Sequence, residues 1–253
     1  MAPDVYPETA RSSAAPTPLR WSLVIPVKLL AQAKSRLAGL TGAARSELAL
    51  AMAADTIAAA AAAASVAAVL VVTDDPVVTD IATGLGALVL PDRAAAGLNG
   101  ALAYGAAYAQ AQWPERGRAG LAGDLPAAQP DELTAALAAA GRLGAAFVPD
   151  ADGTGTVLYA AAPGVEFRPQ FGPDSRNRHL AAGAVEIGPG EIGPGEIGPG
   201  EIGQAGIDAT ARQAALAGLR RDVDTLENLR RAAAIGLGER TAALLSADAR
   251  ILS

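Results

Sequence analysis

From Trp21 to Ala162, short apolar runs alternate with alanine-rich stretches of helical character, and few folds accept that alternation. Trp21 to Val27, Ala67 to Thr73, Ala87 to Leu90, Ala145 to Val148 and Thr156 to Ala162 read as strands. Arg118 to Ala122 reads as a weaker one, since Arg-Ala-Gly-Leu-Ala is poor in β-branched residues. Between them lie helical stretches at Ala43 to Ala64, through Ile81, at Gly97 to about Gln112, and after Pro130, a proline placed where the first helical turn tolerates it. Strands that alternate with helices build an α/β fold, a mostly parallel sheet with helices on both faces. Ligands of such sheets bind beyond the carboxyl ends of the strands. Asp74, Asp124 and Asp150 each follow a predicted strand, so each falls where that rule places functional groups.

The 253 residues suit one α/β domain over residues 21–250, preceded by a proline-containing flexible tail over 1–20 without apolar periodicity. Residues 186–203 read Glu-Ile-Gly-Pro-Gly three times and then Glu-Ile-Gly. Glycine and proline at that density hold neither a helix nor a central strand, so this is expected to be a solvated, low-complexity insertion with no catalytic part. With no cysteine, thiolate nucleophiles, disulfides and sulfur-ligated metals are excluded, and a single histidine, His179, excludes multi-histidine metal sites. As a lone histidine, His179 reads as a packing or surface residue. The net charge is -6 and no long basic run occurs, which argues against a nucleic-acid surface. The longest apolar run, Ile57 to Val72, is short for a membrane span, and the N-terminus lacks a basic-then-apolar signal pattern, so a cytoplasmic protein is expected.

Five segments carry the residues suited to chemistry. After the first strand, Lys28, Lys34 and Arg36 set three cations within nine residues, a pattern that suits a triphosphate. The Gly-x-x-x-x-Gly-Lys phosphate loop and the Gly-x-Gly-x-x-Gly fingerprint are both missing, which removes the best support for ATPase and dinucleotide-oxidoreductase readings. Gly123-Asp124-Leu125-Pro126 places a carboxylate in a stiff turn, as a hard cation requires. Asp150-Ala151-Asp152-Gly153-Thr154-Gly155-Thr156 offers backbone N–H groups and hydroxyls to an anion. Phe171-Gly172-Pro173-Asp174-Ser175 leads into a helix start backed by Arg176 and Arg178, another anion-binding composition. In Arg221-Asp222-Val223-Asp224-Thr225, strand periodicity puts both carboxylates on one side, and either one completes a two-carboxylate magnesium site with Asp124. Taken singly, each segment also reads as an ordinary turn or helix cap.

In this order, the segments resemble the guanylyltransferase family of coenzyme F-420 biosynthesis, over about Trp21 to Leu237. Its members transfer GMP from GTP to 2-phospho-L-lactate or phosphoenolpyruvate. The Phe-Gly-Pro-Asp-Ser form is similar to the actinobacterial branch, which is associated with phosphoenolpyruvate. The resemblance implies a Rossmann-like nucleotidyltransferase domain of the GT-A-like kind. It also implies that Thr156, Gly172 and Ser175 contact phosphoenolpyruvate, that Asp124 and Asp222 bind Mg2+, and that the loop carrying Lys28, Lys34 and Arg36 holds the GTP phosphates. Two features depart from the family: the repeat insertion, and the poor β-character of the strand before Asp124. The competing readings are a nucleotidyltransferase of the same fold acting on a sugar phosphate or a molybdenum cofactor, and an inactive nucleotide-binding homologue. Neither a membrane nor a nucleic-acid partner is expected.

Overall fold

The computed structural model describes residues 18–32, 37, 40–93, 97–188, 192, 216–248 and 251. Most of the predicted tail, Lys34 and Arg36 of the basic loop, and most of the Glu-Ile-Gly-Pro-Gly insertion lie outside the described residues. Glu186 closes a strand, however, and Ile187 and Ile192 are buried in the core, so the start of the insertion is not the solvated loop expected.

The strands are β1 (Trp21–Pro26), β2 (Val66–Val72), β3 (Leu88–Leu90), β4 (Gly117–Leu121), β5 (Ala145–Pro149), β6 (Thr156–Ala161) and β7 (Val185–Glu186). The helices are α1 (Gly42–Ala62), α2 (Pro76–Gly84), α3 (Gly97–Gln112), α4 (Pro130–Leu143), α5 (Ser175–Ala181), α6 (Leu226–Ile235) and α7 (Glu239–Ala247). One seven-stranded sheet forms in the order β3-β2-β1-β4-β6-β5-β7. Every pairing is parallel except the two made by β6. This is the α/β architecture that the alternation of strands and helices predicts.

Side chains alternate across the pleat, and the core divides accordingly. Leu23, Ile25, Val69 and Val71 pack with residues of α1, α2 and α4 on one face, while Val24, Leu70 and Val72 pack with Ala101, Leu102, Ala106 and Ala109 of α3 on the other. Alanine and glycine let the helices approach closely. A Cβ on Gly105 of α3 would lie 2.4 Å from Val24, and one on Gly120 of β4 would lie 2.7 Å from Leu102. That closeness accounts for the weak strand signal at β4. Its small residues are demanded by helix α3 above and by Trp21 beside Gly117, where a Cβ would come within 2.4 Å of the indole ring. A third cluster joins Leu48 and Met52 of α1 to Val223, Leu229 and Ala232, so the C-terminal helices lean on α1 rather than on the sheet.

Strand order reverses between β1 and β4, because β2 and β3 extend to one side of β1 and β4 lies on the other. Beyond the carboxyl ends of two such strands the connecting loops part and leave a crevice. The loop after β1 carries Lys28, and the turn after β4 carries Asp124. No helix among the described residues is long and apolar enough to cross a membrane.

Candidate functional site

The crevice at the reversal holds two adjoining cavities. The larger, of about 600 Å³, is lined by Asp124, Asp222 and Asp224, by Asp150, Asp152 and Thr156, and by Gly172 and Ser175, among others. The smaller, of about 270 Å³, is lined by Val27, Lys28, Leu30, Gly123 and Asp124 with part of α1. Leu98, Ala122, Asp124 and Asp224 border both. Asp124 thus stands at the junction of a space beside Lys28 and a space bordered by Thr156 and Ser175.

Local structure fixes the Asp124 turn firmly. Leu125 is fully buried and its N–H donates to Thr56 Oγ1 of α1 at 3.0 Å. A Cβ on Gly123 would sit 3.2 Å from the Pro26 carbonyl oxygen, so the turn passes β1 at a distance that glycine suits. The Asp124 carbonyl in turn accepts the Val223 N–H at 3.1 Å. Asp222 and Asp224 are not in a strand, contrary to the periodicity argument. The chain forms a turn over residues 216–220 and then passes through an irregular stretch and a bend, outside any strand. It keeps the alternation all the same: Val223 is buried and both flanking carboxylates line the larger cavity.

Two anchors far away in sequence hold this segment. Glu132, in the first turn of α4, accepts the N–H groups of Gly218 and Leu219, each at 2.8 Å, together with that of Gln129 at 3.0 Å. Burial raises the Glu132 carboxyl above its ordinary range, and the three N–H donors pull the other way. Arg220 spans to the Pro149 and Asp150 carbonyls at 3.1 and 2.9 Å, tying the segment to the end of β5. A Cβ on Gly218 would lie 2.0 Å from the Ala127 carbonyl oxygen, so this contact of backbone on backbone admits only glycine without a shift.

The charge balance of the larger cavity decides what it can hold. Six aspartates line it (Asp124, Asp150, Asp152, Asp174, Asp222 and Asp224), and among the described residues no lysine or arginine does. Burial first, and then the charges of Asp124, Asp150 and Asp224, push the Asp222 carboxyl up to about 7. Anions entering such a space require a cation in between. The donors are hard oxygens, which fit a hard divalent cation. Among the described residues no group of three or more acidic or histidine side chains is arranged to hold a metal ion, so these residues form no all-protein cage. Magnesium uses one or two carboxylates and fills its remaining positions with water and phosphate oxygens. The residues present therefore fit Mg2+.

The Asp150 loop is arranged differently from its sequence reading. Its Thr154 and Gly155 N–H groups donate to the Asp150 carboxylate itself, at 2.9 and 2.8 Å, and are not turned to an anion. The loop still lines the cavity, from Asp150 to Thr156, with Thr156 only 8% exposed. At the start of α5, Ser175 borders the cavity, and its fully buried hydroxyl has no hydrogen-bond partner among the described residues. Gly172 has φ of 112°, a backbone conformation that favours glycine. Arg176 pairs with Glu186 at 2.7 Å and Arg178 donates to the Phe171 carbonyl at 3.2 Å, so neither arginine stands behind the serine as the sequence suggested. Asn99 at the start of α3 spends both ends of its amide on the Phe171 backbone, at 2.9 and 2.7 Å.

On the lysine side, the loop after β1 is pinned at Leu30, whose N–H donates to Asp75 at 2.9 Å and whose carbonyl accepts the Ser46 hydroxyl at 3.2 Å. Lys28 is exposed and lines the smaller cavity. The structure thus brings Lys28, Asp124, Asp222, Thr156, Gly172 and Ser175 around one crevice.

A family model described as guanylyl transferase CofC like matches residues 21–183, the stretch from β1 through α5. The chain belongs to that family. Among its relatives, a phosphoenolpyruvate guanylyltransferase of Thermomonospora curvata is 50% identical over 89% of each chain. The enzyme of the same name from Streptomyces avermitilis is 47% identical over 92% of this chain and 96% of its own. That from Streptomyces coelicolor is 47% identical over 89% of this chain and 96% of its own. In fold, the chain is similar to a structure from Desulfovibrio desulfuricans described as a nucleotide-diphospho-sugar transferase, with a TM-score of 0.60 at 13% identity over 92% of this chain and 97% of that one. Membership of the family places the chain among nucleotidyltransferases, as the ordered set of motifs implied.

Three residues that support the crevice from behind had no site role in the sequence reading. Glu132 and Asp75 each anchor a site loop from more than forty residues away, and nothing local to either one signals its partner. His179 lies directly behind Thr156, and its sequence signal was only that it follows the Phe-Gly-Pro-Asp-Ser motif and is the chain's single histidine.

Proposed function

We propose that this protein transfers GMP from GTP to phosphoenolpyruvate, releasing pyrophosphate, in the pathway to coenzyme F-420. The reading is supported above all by the crevice, which collects Asp124, Asp222, Thr156, Gly172 and Ser175 in one cavity and sets Lys28 in the adjoining one. The names of relatives 47% and 50% identical over most of the chain supply the substrates.

The acceptor's phosphate oxygen attacks the α-phosphorus of GTP, and the bond from that phosphorus to the bridging β-phosphate oxygen breaks. Pyrophosphate leaves with the bonding electron pair. The attacking oxygen is already ionised near neutral pH, so no general base is needed. Catalysis then consists of alignment and charge neutralisation. When bound, Mg2+ supplies the positive charge that lets two polyanions meet among six aspartates. Asp124 and Asp222 would hold it, with Asp224 the other carboxylate within the same short segment. Lys28 neutralises the triphosphate from the smaller cavity, and Lys34 and Arg36 complete that role from the same loop. Thr156, Ser175 and the Gly172 backbone receive the acceptor. 2-Phospho-L-lactate presents the same phosphate and carboxylate and is the alternative acceptor.

Pyrophosphate release, followed with both acceptors and each of the four nucleoside triphosphates, tests the proposal. Release with GTP and phosphoenolpyruvate, dependent on Mg2+, is the expected result. Release only with another nucleotide or with a sugar phosphate would reassign the substrates, and binding without release would make the chain an inactive homologue.

A further inference from the structure

His179 is fully buried, yet no step proposed above uses it. Its ring is stacked between Phe147 and Tyr159, with centroids 5.2 and 4.8 Å away, and Phe171 meets it edge-on at 6.0 Å. Both ring nitrogens are nonetheless engaged. The Gln170 backbone N–H donates to Nε2 at 2.9 Å, and Nδ1 lies 3.0 Å from Thr156 Oγ1. Burial and then the Arg178 charge lower its pKa to about 4, against a smaller opposite pull from the Ser175 backbone, so the imidazole is neutral at physiological pH.

These contacts settle the tautomer. A backbone N–H can only donate, so Nε2 must present its lone pair. A neutral imidazole then carries its proton on Nδ1, and Nδ1–H points at Thr156 Oγ1. The hydroxyl accepts that hydrogen bond and keeps its own proton for another partner. Among the described residues Thr156 Oγ1 has no second partner, and its side chain lines the larger cavity beside Gly172 and Ser175.

We infer that His179 is a positioning residue: it fixes the Thr156 hydroxyl as a hydrogen-bond donor into the cavity, aimed at an oxyanion of the acceptor. Without it, the hydroxyl rotates freely and can accept as readily as donate. A neutral histidine imposes the donor direction without adding charge, so discrimination at this wall rests on hydrogen-bond geometry. The inference rests on the proposed function for the identity of the acceptor, though not for the pairing itself.

Because His179 is the chain's only histidine, the ring nitrogens of untagged, 15N-labelled protein give one set of signals to read. At pH 7 a protonated Nδ1 and a lone-pair Nε2 are expected. The reverse tautomer, or an imidazolium, would overturn the pairing. The kinetic arm uses Thr156→Val, His179→Phe, their combination, and His179→Asn, whose amide nitrogen takes the Nδ1 place. Loss of one donor to a charged oxygen is expected to raise the KM for phosphoenolpyruvate about tenfold in Thr156→Val and His179→Phe, with the KM for GTP unchanged. The double variant should be no worse than either single one, and His179→Asn should recover most of the loss. Multiplying effects, or an unchanged acceptor KM in folded His179→Phe, would refute the role. If His179→Phe does not fold, the tautomer and His179→Asn still decide. Wild-type protein that shows the stated tautomer but no turnover of phosphoenolpyruvate would refute the proposed acceptor and leave the pairing standing.

Discussion

Glu132 holds the segment that carries Asp222 by accepting from its backbone, which makes its removal a clean probe of how Asp222 is placed. In Glu132→Ala the N–H groups of Gly218, Leu219 and Gln129 lose acceptors at 2.8, 2.8 and 3.0 Å. Hydrogen bonds to a charged group contribute about 1.5–3 kcal/mol each, so an unrelieved loss of all three would be severe. Glu132 is half-buried, however, and water reaches part of the vacated space, while the carboxylate's own burial penalty is also removed. A net destabilisation of about 2–4 kcal/mol is therefore expected, or a fall in Tm of roughly 4–16 °C for a chain of this size. Gly218 lies four residues before Asp222, so the second effect falls on the metal: the magnesium concentration giving half-maximal rate should rise about tenfold, the equivalent of 1.4 kcal/mol. Glu132→Gln keeps one acceptor oxygen and should fall between wild type and Glu132→Ala in both measurements. Thermal melts followed by circular dichroism and a magnesium titration of the rate are the assays. A variant that melts with wild type and needs no more magnesium would show that Glu132 does not position Asp222.

Asp124→Asn should lower turnover by at least about a thousandfold while the far-ultraviolet spectrum stays that of wild type, since Leu125 and the backbone hold the turn. Lys28→Ala is expected to raise the KM for GTP several-fold and to leave that for phosphoenolpyruvate unchanged, because Lys28 lines only the smaller cavity. Gly117→Ala should cost about 1–3 kcal/mol by pushing a Cβ into the Trp21 ring, read in urea melts and in shifted tryptophan emission. For pH, the folded His179 pKa of about 4 lies below its ordinary value of 6.5, so between these values the unfolded chain binds the extra proton. Stability from this group is present above pH 6.5 and is lost as pH falls toward 4, by up to about 1.4 kcal/mol per unit. Urea melts between pH 7 and 5 should therefore show a steeper acid loss in wild type than in His179→Asn, and equal slopes would contradict the buried neutral ring.

Much of the sheet was legible because its strands are short apolar runs and its helices are marked at their ends. Helix α3 occupies the predicted Gly97 to Gln112, and Pro130 begins α4. Strand β4 was faint for a reason visible only in three dimensions: Trp21 and Leu102 fill the space where larger side chains would stand. The site residues were legible as an ordered set of motifs, and the crevice collects the described ones. Their partners were not, because hydrogen bonds such as Gly218 to Glu132 and Leu30 to Asp75 join segments whose separation along the chain leaves no periodic trace. The Asp150 loop misled for a related reason. Its glycines and threonines do supply free N–H groups, but a carboxylate five residues or fewer away takes them before any ligand can.

Guanylyl transfer in the crevice that Asp124 borders is the central proposal. Phosphorus NMR of GTP, phosphoenolpyruvate and Mg2+ incubated with the wild-type protein tests it most directly. The expected spectrum gains the paired signals of an unsymmetrical diphosphate diester together with pyrophosphate, and neither signal grows with Asp124→Asn. A spectrum in which both substrates persist unchanged beside the folded wild-type protein, or in which Asp124→Asn forms the diester at the same rate, would contradict it.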